Sequence, residues 1–216
     1  MNCPVCERGR LVDFETVGTH HYQRCPLCEA TVMAESCRLS EAEEKAIYDY
    51  HENESGDPGY RRFLSKLAEP LLERLEPGLC GLDFGCGPGP ELAGMLRDAG
   101  MDMRVYDPFF HPSTQALRHQ YDFLTCTEVI EHLHKPAAVF RQLDGLLKPG
   151  GWLGIMTCFQ TDDARFANWH YRRDPTHVVF YREQTLAVIA GQLGWELIVP
   201  RKDVALMRKP ATAEGR

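Results

Sequence analysis

Four cysteines near the start of the chain stand in two identical spacings, Cys3-Pro4-Val5-Cys6 and Cys25-Pro26-Leu27-Cys28. Paired C-x-x-C turns can each offer two thiolates to one tetrahedral Zn²⁺. A module of roughly 40 residues also has too small a core to hold itself together without such a staple. The pattern predicts structural zinc at Cys3, Cys6, Cys25 and Cys28. Four protein ligands close the coordination sphere, so this metal would hold shape and not do chemistry. A redox pair would use a single C-x-x-C beside a βαβ unit. Cys37, Cys80, Cys86, Cys126 and Cys158 are expected as small buried residues.

A second set of residues lies in Leu82-Asp83-Phe84-Gly85-Cys86-Gly87-Pro88-Gly89-Pro90, with Asp107 about twenty residues on. An apolar strand running into a glycine turn lets backbone approach a ligand closely at the carboxyl edge of a sheet. A dinucleotide site would use G-x-G-x-x-G. Here the spacing is G-x-G-x-G, Pro90 stands at the third-glycine position, and Asp83 is an awkward neighbour for a diphosphate. A third set is Glu128, Glu131 and His132. On a helical turn these three can share a face, and a histidine there suits a general base near neutral pH.

The elements that must position these groups follow from periodicity and turn residues. The expected strands are 79–84, 103–106, 121–127, 152–158, 195–199 and 204–207, with helices over 91–99, 136–147 and 183–193 between them. This alternation means βαβ units and a largely parallel sheet. The last two strands are too close for a helical crossover and should pair antiparallel. Upstream, Ser40-Glu41-Ala42-Glu43 reads as a capping box, and a helix over 60–76 contains Pro70, which should kink or divide it. Residues 11–14 and 21–24 have the pattern of a small hairpin, and 53–59 that of a turn. Met95, Met101 and Met103 read as core. The chain divides into a zinc-binding module (1–38), a helical lid or linker (39–78) and an α/β domain (79–209).

The glycine loop with its flanking Asp83 and following Asp107 resembles motif I and the next acid of class I S-adenosylmethionine-dependent methyltransferases. The segments 121–133 and Leu147-Lys148-Pro149-Gly150-Gly151 are similar to that family's fourth strand and the turn before its fifth. The resemblance covers about 79–207 and is to a ubiquinone-biosynthesis O-methyltransferase-like catalytic domain, here following a zinc-ribbon-like module. It implies a Rossmann-like α/β fold with a seven-stranded, mostly parallel sheet and an antiparallel final strand. It implies cofactor contacts at Asp83 for the ammonium, at Gly85, Gly87 and Gly89 for close approach, and at Asp107 for the ribose hydroxyls. Phe109, Thr127 and Tyr60 complete that set, Tyr60 as a cover. The chain departs from the family at 109–120, which is too short for the usual third strand. The E-x-x-E-H spacing at Glu128, Glu131 and His132 is also similar to metal-dependent relatives, with His177 as a possible further ligand. The same residues can equally line the pocket without metal. The aromatic and basic stretch 167–173 is expected to contact the acceptor.

Composition bounds the function. The chain has 216 residues, 44% hydrophobic and 25% charged, with a formal net charge of −7, which is unlike a protein built on a phosphate backbone. Residues 1–38 hold four Lys/Arg against five Asp/Glu. No run approaches the ~18 apolar residues of a membrane span, and residues 1–30 lack the apolar core of a signal peptide. Nine cysteines without an export signal point to a reducing, cytoplasmic setting. The expected activity is methyl transfer from S-adenosylmethionine to a small-molecule oxygen or carbon acceptor. The alternatives are an RNA methyltransferase that docks through its zinc module, or a cofactor-binding protein without catalysis.

Overall fold

The computed structural model describes residues 1–48 and 57–211. Strands β1 (Val12–Val17) and β2 (His20–Arg24) form the expected hairpin, and β3 (Thr31–Met33) pairs antiparallel with β2. Helix α1 (Glu41–Tyr48) starts on the predicted capping box: the Glu43 carboxylate accepts from the Ser40 amide at 2.8 Å and from its hydroxyl at 2.6 Å. Helix α2 (Pro58–Leu72) starts where the Asp57 side chain accepts from the Gly59 and Tyr60 amides, with Pro58 in its first turn. It runs through Pro70 without dividing. Most of the turn expected over 53–59 lies outside the described residues.

The main sheet follows. Its elements are β4 (Cys80–Phe84), α3 (Glu91–Asp98), β5 (Asp102–Tyr106), β6 (Tyr121–Thr127), α4 (Pro136–Leu146) and β7 (Leu147–Met156). Next come β8 (Val179–Phe180), α5 (Glu183–Leu193), β9 (Glu196–Arg201) and β10 (Val204–Arg208). The order is β5-β4-β6-β7-β10-β9, parallel from β5 to β7, with β10 antiparallel to both neighbours. Among the described residues the sheet has six strands, not the seven expected. The missing one falls in the short stretch after Asp107, where only a 3-10 turn (Thr114–Arg118) forms. Chain order reverses at β4, whose neighbours are β5 and β6. The crevice at the carboxyl ends of these strands is where such sheets bind ligands. Residues 148–151, expected as a turn, lie within β7, and the register slips between Tyr121 and Phe123 to absorb them.

The first three strands do not close on themselves. β3 pairs antiparallel with β8, in the registers Thr31↔Phe180 and Val32↔Val179. Cys3, Val5, Tyr22 and Met33 belong to the same buried cluster as Phe140, Phe166 and Tyr181. Of the five remaining cysteines only Cys126 is fully buried; Cys37, Cys80, Cys86 and Cys158 are half-buried, a correction to the sequence expectation. Met101 and Met103 are core, as expected, and Met95 packs against them.

Candidate active site

At the end of β4 the chain turns through Gly85 (φ +78°) and Gly87 (φ +65°) into α3. Both angles favour glycine. A Cβ on Gly85 would lie 2.4 Å from Val129 Cγ2, whereas a Cβ on Gly87 would meet nothing within 4 Å. The loop is pinned from β5: the Gly85 amide donates to the Tyr106 carbonyl at 2.7 Å, and the Gly87 amide to Asp107 Oδ2 at 3.0 Å. Asp107 Oδ1 accepts from the Phe109 and Phe110 amides at 2.9 and 3.1 Å. A carboxylate has about four acceptor sites, so one remains on Oδ2.

Asp83 is buried, and its Oδ1 accepts from Thr125 Oγ1 at 2.7 Å. Burial pushes its carboxyl up to about 6, against the pull of the Thr125 hydrogen bond. At the end of β6, Thr127 Oγ1 is buried with no hydrogen-bond partner among the described residues. Asp83, Gly85, Gly87, Gly89, Asp107, Phe109, Thr127 and Tyr60 all line one cavity of about 950 Å³. A buried carboxylate, an orphaned hydroxyl and an open glycine cradle fit a ligand with an ammonium group and hydroxyls.

Glu128 and His132 line the same cavity; Glu131 does not. The turn is not the regular helix assumed from spacing: Glu128 has φ +51°, and only Ile130–His132 winds as a 3-10 turn. The three groups still gather. Glu131 is fully buried, accepting from Thr157 Oγ1 at 3.0 Å and from the Tyr171 hydroxyl at 2.6 Å. Tyr171 also reaches Glu128 Oε2 at 3.1 Å. Burial and the neighbouring Glu131 push the Glu128 carboxyl up to about 8, and burial raises Glu131 too. His132 Nε2 lies 3.8 Å from Glu131 Oε1. His177, whose ring packs on that of His132, donates from Nδ1 to the Tyr171 carbonyl at 2.7 Å. His132 Nδ1 lies 3.2 Å from the Thr176 carbonyl and 3.2 Å from the Tyr48 hydroxyl. Carbonyls only accept, so a neutral ring that donates to the Tyr171 or Thr176 carbonyl carries its proton on Nδ1 and a lone pair on Nε2. One ligand atom from each of Glu131, His132 and His177 lies within 4.8 Å of the other two.

The cysteine turns are near-copies. In each, the first cysteine's carbonyl accepts from a glutamate amide four residues on (Glu7 at 2.9 Å, Glu29 at 2.8 Å), and that glutamate has left-handed φ (+55° and +60°). All four thiols are buried and within 4.8 Å of one another, with Cys3–Cys28 and Cys6–Cys25 sulfurs 3.7 Å apart. A tetrahedron with Zn–S bonds of about 2.3 Å has sulfur–sulfur edges of about 3.8 Å. The donor set therefore fits zinc. The hydrogen bond with Cys28 holds the Cys3 thiol down at about 5 and pushes Cys28 up.

One expectation fails. None of residues 167–173 lines the cavity. The segment forms 3-10 turns that pack on the N-terminal sheet, with Arg172 donating to the Tyr22 hydroxyl at 3.2 Å. Its Tyr171 serves the site from behind. Sequence reasoning misses Thr157 and Tyr48, and offers Tyr171 only within 167–173, because tertiary packing alone brings them to the glutamates and His132.

The fold and this arrangement are those of a methyltransferase domain. Residues 57–199 match the methyltransferase domain family, and the chain belongs to it. The ubiquinone biosynthesis O-methyltransferase of Xanthomonas axonopodis pv. citri is 32% identical over 120 residues, covering 44% of this chain and 50% of that protein. That of Serratia proteamaculans is 34% identical over 77 residues, covering 36% and 32%. The chain thus spans about half or less of the length of these curated relatives. Among solved structures, magnesium protoporphyrin IX methyltransferase from Synechocystis PCC 6803 with bound S-adenosylmethionine superposes with a TM-score of 0.52 at 16% identity, covering 79% of this chain and 92% of that one. A Burkholderia thailandensis 1,6-didemethyltoxoflavin N1-methyltransferase gives 0.51 at 16% identity, covering 92% and 99%. No helix among the described residues is long and apolar enough to cross a membrane.

Proposed function

We propose that the chain is an S-adenosylmethionine-dependent methyltransferase that methylates a hydroxyl oxygen of a small molecule. The observation that carries this is the single cavity joining the glycine loop and Asp107 to His132 and His177. When bound, the cofactor supplies a sulfonium methyl open to in-line displacement. Asp83 would take the ammonium, the glycine loop, open at Gly87, would leave room for the carboxylate, and the free site on Asp107 Oδ2 would take a ribose hydroxyl. Thr127 Oγ1 gains its missing partner, Phe109 flanks the adenine side and Tyr60 covers the ligand. His132 accepts the acceptor's proton at Nε2, while the Thr176 carbonyl and Glu131 orient and balance the ring. Named relatives that methylate oxygen support the choice of a hydroxyl.

A second reading of the same residues has one observation in its favour. Two Nε2 lone pairs and a carboxylate converge within 4.8 Å. Glu131, His132 and His177 would then hold a divalent cation, which lowers the pKa of a bound hydroxyl. On either reading, Cys3, Cys6, Cys25 and Cys28 hold structural zinc in a module over 1–38, followed by a lid over 39–78 and the catalytic domain over 79–209. Nine cysteines outside any disulfide suit a cytoplasmic setting.

Incubation with methyl-labelled cofactor tests the proposal, using a small-molecule extract beside total RNA. Label in the extract supports it; label in RNA alone reverses the substrate class, and cofactor binding without transfer leaves a binding protein. His132→Ala should lower turnover at least tenfold with cofactor affinity unchanged. If a cation is required, Mg²⁺ should restore chelated enzyme whose zinc content is unchanged.

A further inference from the structure

We propose that the methyl acceptor carries no permanent anionic group, neither carboxylate, phosphate nor sulfate. The inference rests on the methyltransferase reading of the cavity and names the substrate class of that same site. Thirty described residues line the cavity; seven are Asp or Glu and none is Lys or Arg.

The cofactor accounts for part of this charge. At neutral pH its ammonium and sulfonium outweigh its carboxylate by one unit, and Asp83 answers that excess. Asp107 is largely occupied by three backbone amides. Glu91 is ion-paired with Arg61. Four acids remain: Glu41 and Glu44 on α1, Asp174 beside His177, and Glu128 after β6, which is pushed up to about 8 and so adds little charge at neutral pH. Histidine, hydroxyl and amide groups bond Glu44, Glu128 and Asp174, while Arg38 and Lys66 act on Glu44 and Glu128 from outside the lining. Glu44 Oε1 lies 2.7 Å from His134 Nε2. Asp174 Oδ1 accepts from the Thr176 amide at 2.9 Å and its hydroxyl at 2.6 Å, and Oδ2 lies 3.8 Å from His177 Nε2.

An incoming carboxylate or phosphate would meet these acids in a walled cleft, where like charges repel more strongly than in open water. It would find no guanidinium or ammonium in the lining to pair with. Neutral and cationic molecules meet no such barrier. A hydroxyl that ionises only as it reacts is admitted neutral and passes its proton to His132.

The test uses the full chain, methyl-labelled S-adenosylmethionine and a small-molecule extract, with an enzyme-free blank subtracted. Labelled products are separated from unreacted cofactor by reversed-phase chromatography and then passed at pH 7 over an anion exchanger. At least nine-tenths of the transferred label should pass through. Label retained and released by salt as the major product overturns the inference and leaves the methyltransferase reading standing. No transfer to any component, with cofactor binding intact, overturns the methyltransferase reading and this inference with it.

Discussion

The Asp83 carboxylate should make cofactor affinity fall in mild acid. Its Oδ1 is held by Thr125, no Lys or Arg among the described residues pairs with it, and it is 4% exposed. Burial moves its pKa from 3.8 to about 6, worth about 3 kcal/mol. Because the folded pKa is raised, the stabilising contribution is fully present below about pH 4 and is lost as pH climbs through about 6. The unliganded protein is therefore strained by an ionised Asp83 at neutral pH. An ammonium beside it relieves that strain. Protonation below about 6 should weaken binding by about tenfold per pH unit, so about tenfold between pH 7 and pH 5. Asp83→Asn should flatten this dependence. At pH 7 it should weaken binding by about 1.5–3 kcal/mol, the value of one charge-assisted hydrogen bond, and yet raise unliganded stability. Calorimetry with S-adenosylhomocysteine at pH 5, 6 and 7 measures the first two effects; denaturant unfolding measures the third. An Asn variant with the wild-type pH slope, or wild-type affinity constant across this range, would refute the reasoning.

Asp107→Ala should weaken cofactor binding at least tenfold, because a ligand acceptor and the anchor of the Gly87 amide go together; calorimetry checks it, and a change under threefold would contradict it. Gly85→Ala should destabilise folding by several kcal/mol in chemical denaturation, since its Cβ would meet Val129 Cγ2 at 2.4 Å. Gly87→Ala should cost only about 1–2 kcal/mol of backbone strain but impair cofactor binding, its Cβ entering the open cradle. Elemental analysis should find one zinc per chain at the four sulfurs, and Cys25→Ser should lose it and lower the melting temperature.

Much of the main sheet is legible because its signals are local. Strand 121–127 and helix 183–193 match the structure at both ends, set by apolar runs between turn residues and by Gly194, which ends α5 at φ +71°. The glycine loop, Asp83 and Asp107 are legible for the same reason: strand, turn and acid lie within thirty residues. The third set was only half legible. Spacing brings Glu128, Glu131 and His132 together, but not the burial of Glu131 or the Tyr171 hydroxyl that ties it to Glu128, since Tyr171 comes from forty residues on. The aromatic stretch 167–173 misled for a related reason: composition cannot tell a loop that faces a ligand from one that faces another sheet.

That other sheet explains why a small cysteine module belongs on this domain. β8 is two residues long, and such a strand has little stability unless an edge pairs with it. β3 provides that edge. Val178 then links module and site directly: its carbonyl accepts from the Met33 amide at 2.8 Å, and its amide donates to the Glu131 carbonyl at 2.9 Å. The buried Tyr181 hydroxyl adds a bond to the Ile130 carbonyl at 2.9 Å. On the far side, the Pro4 carbonyl inside the first cysteine turn accepts from the Ala137 amide at 3.1 Å, at the start of α4. Each such bond contributes only about 1 kcal/mol, but together they fix the backbone on both sides of Glu131 and just after His177. None of the four cysteines lines the cavity that holds Asp83 and Asp107. The backbone bonds from the cysteine turns and β3 therefore reach α4, Val178 and, through Val178, the Glu131 carbonyl, and none among the described residues reaches the glycine loop.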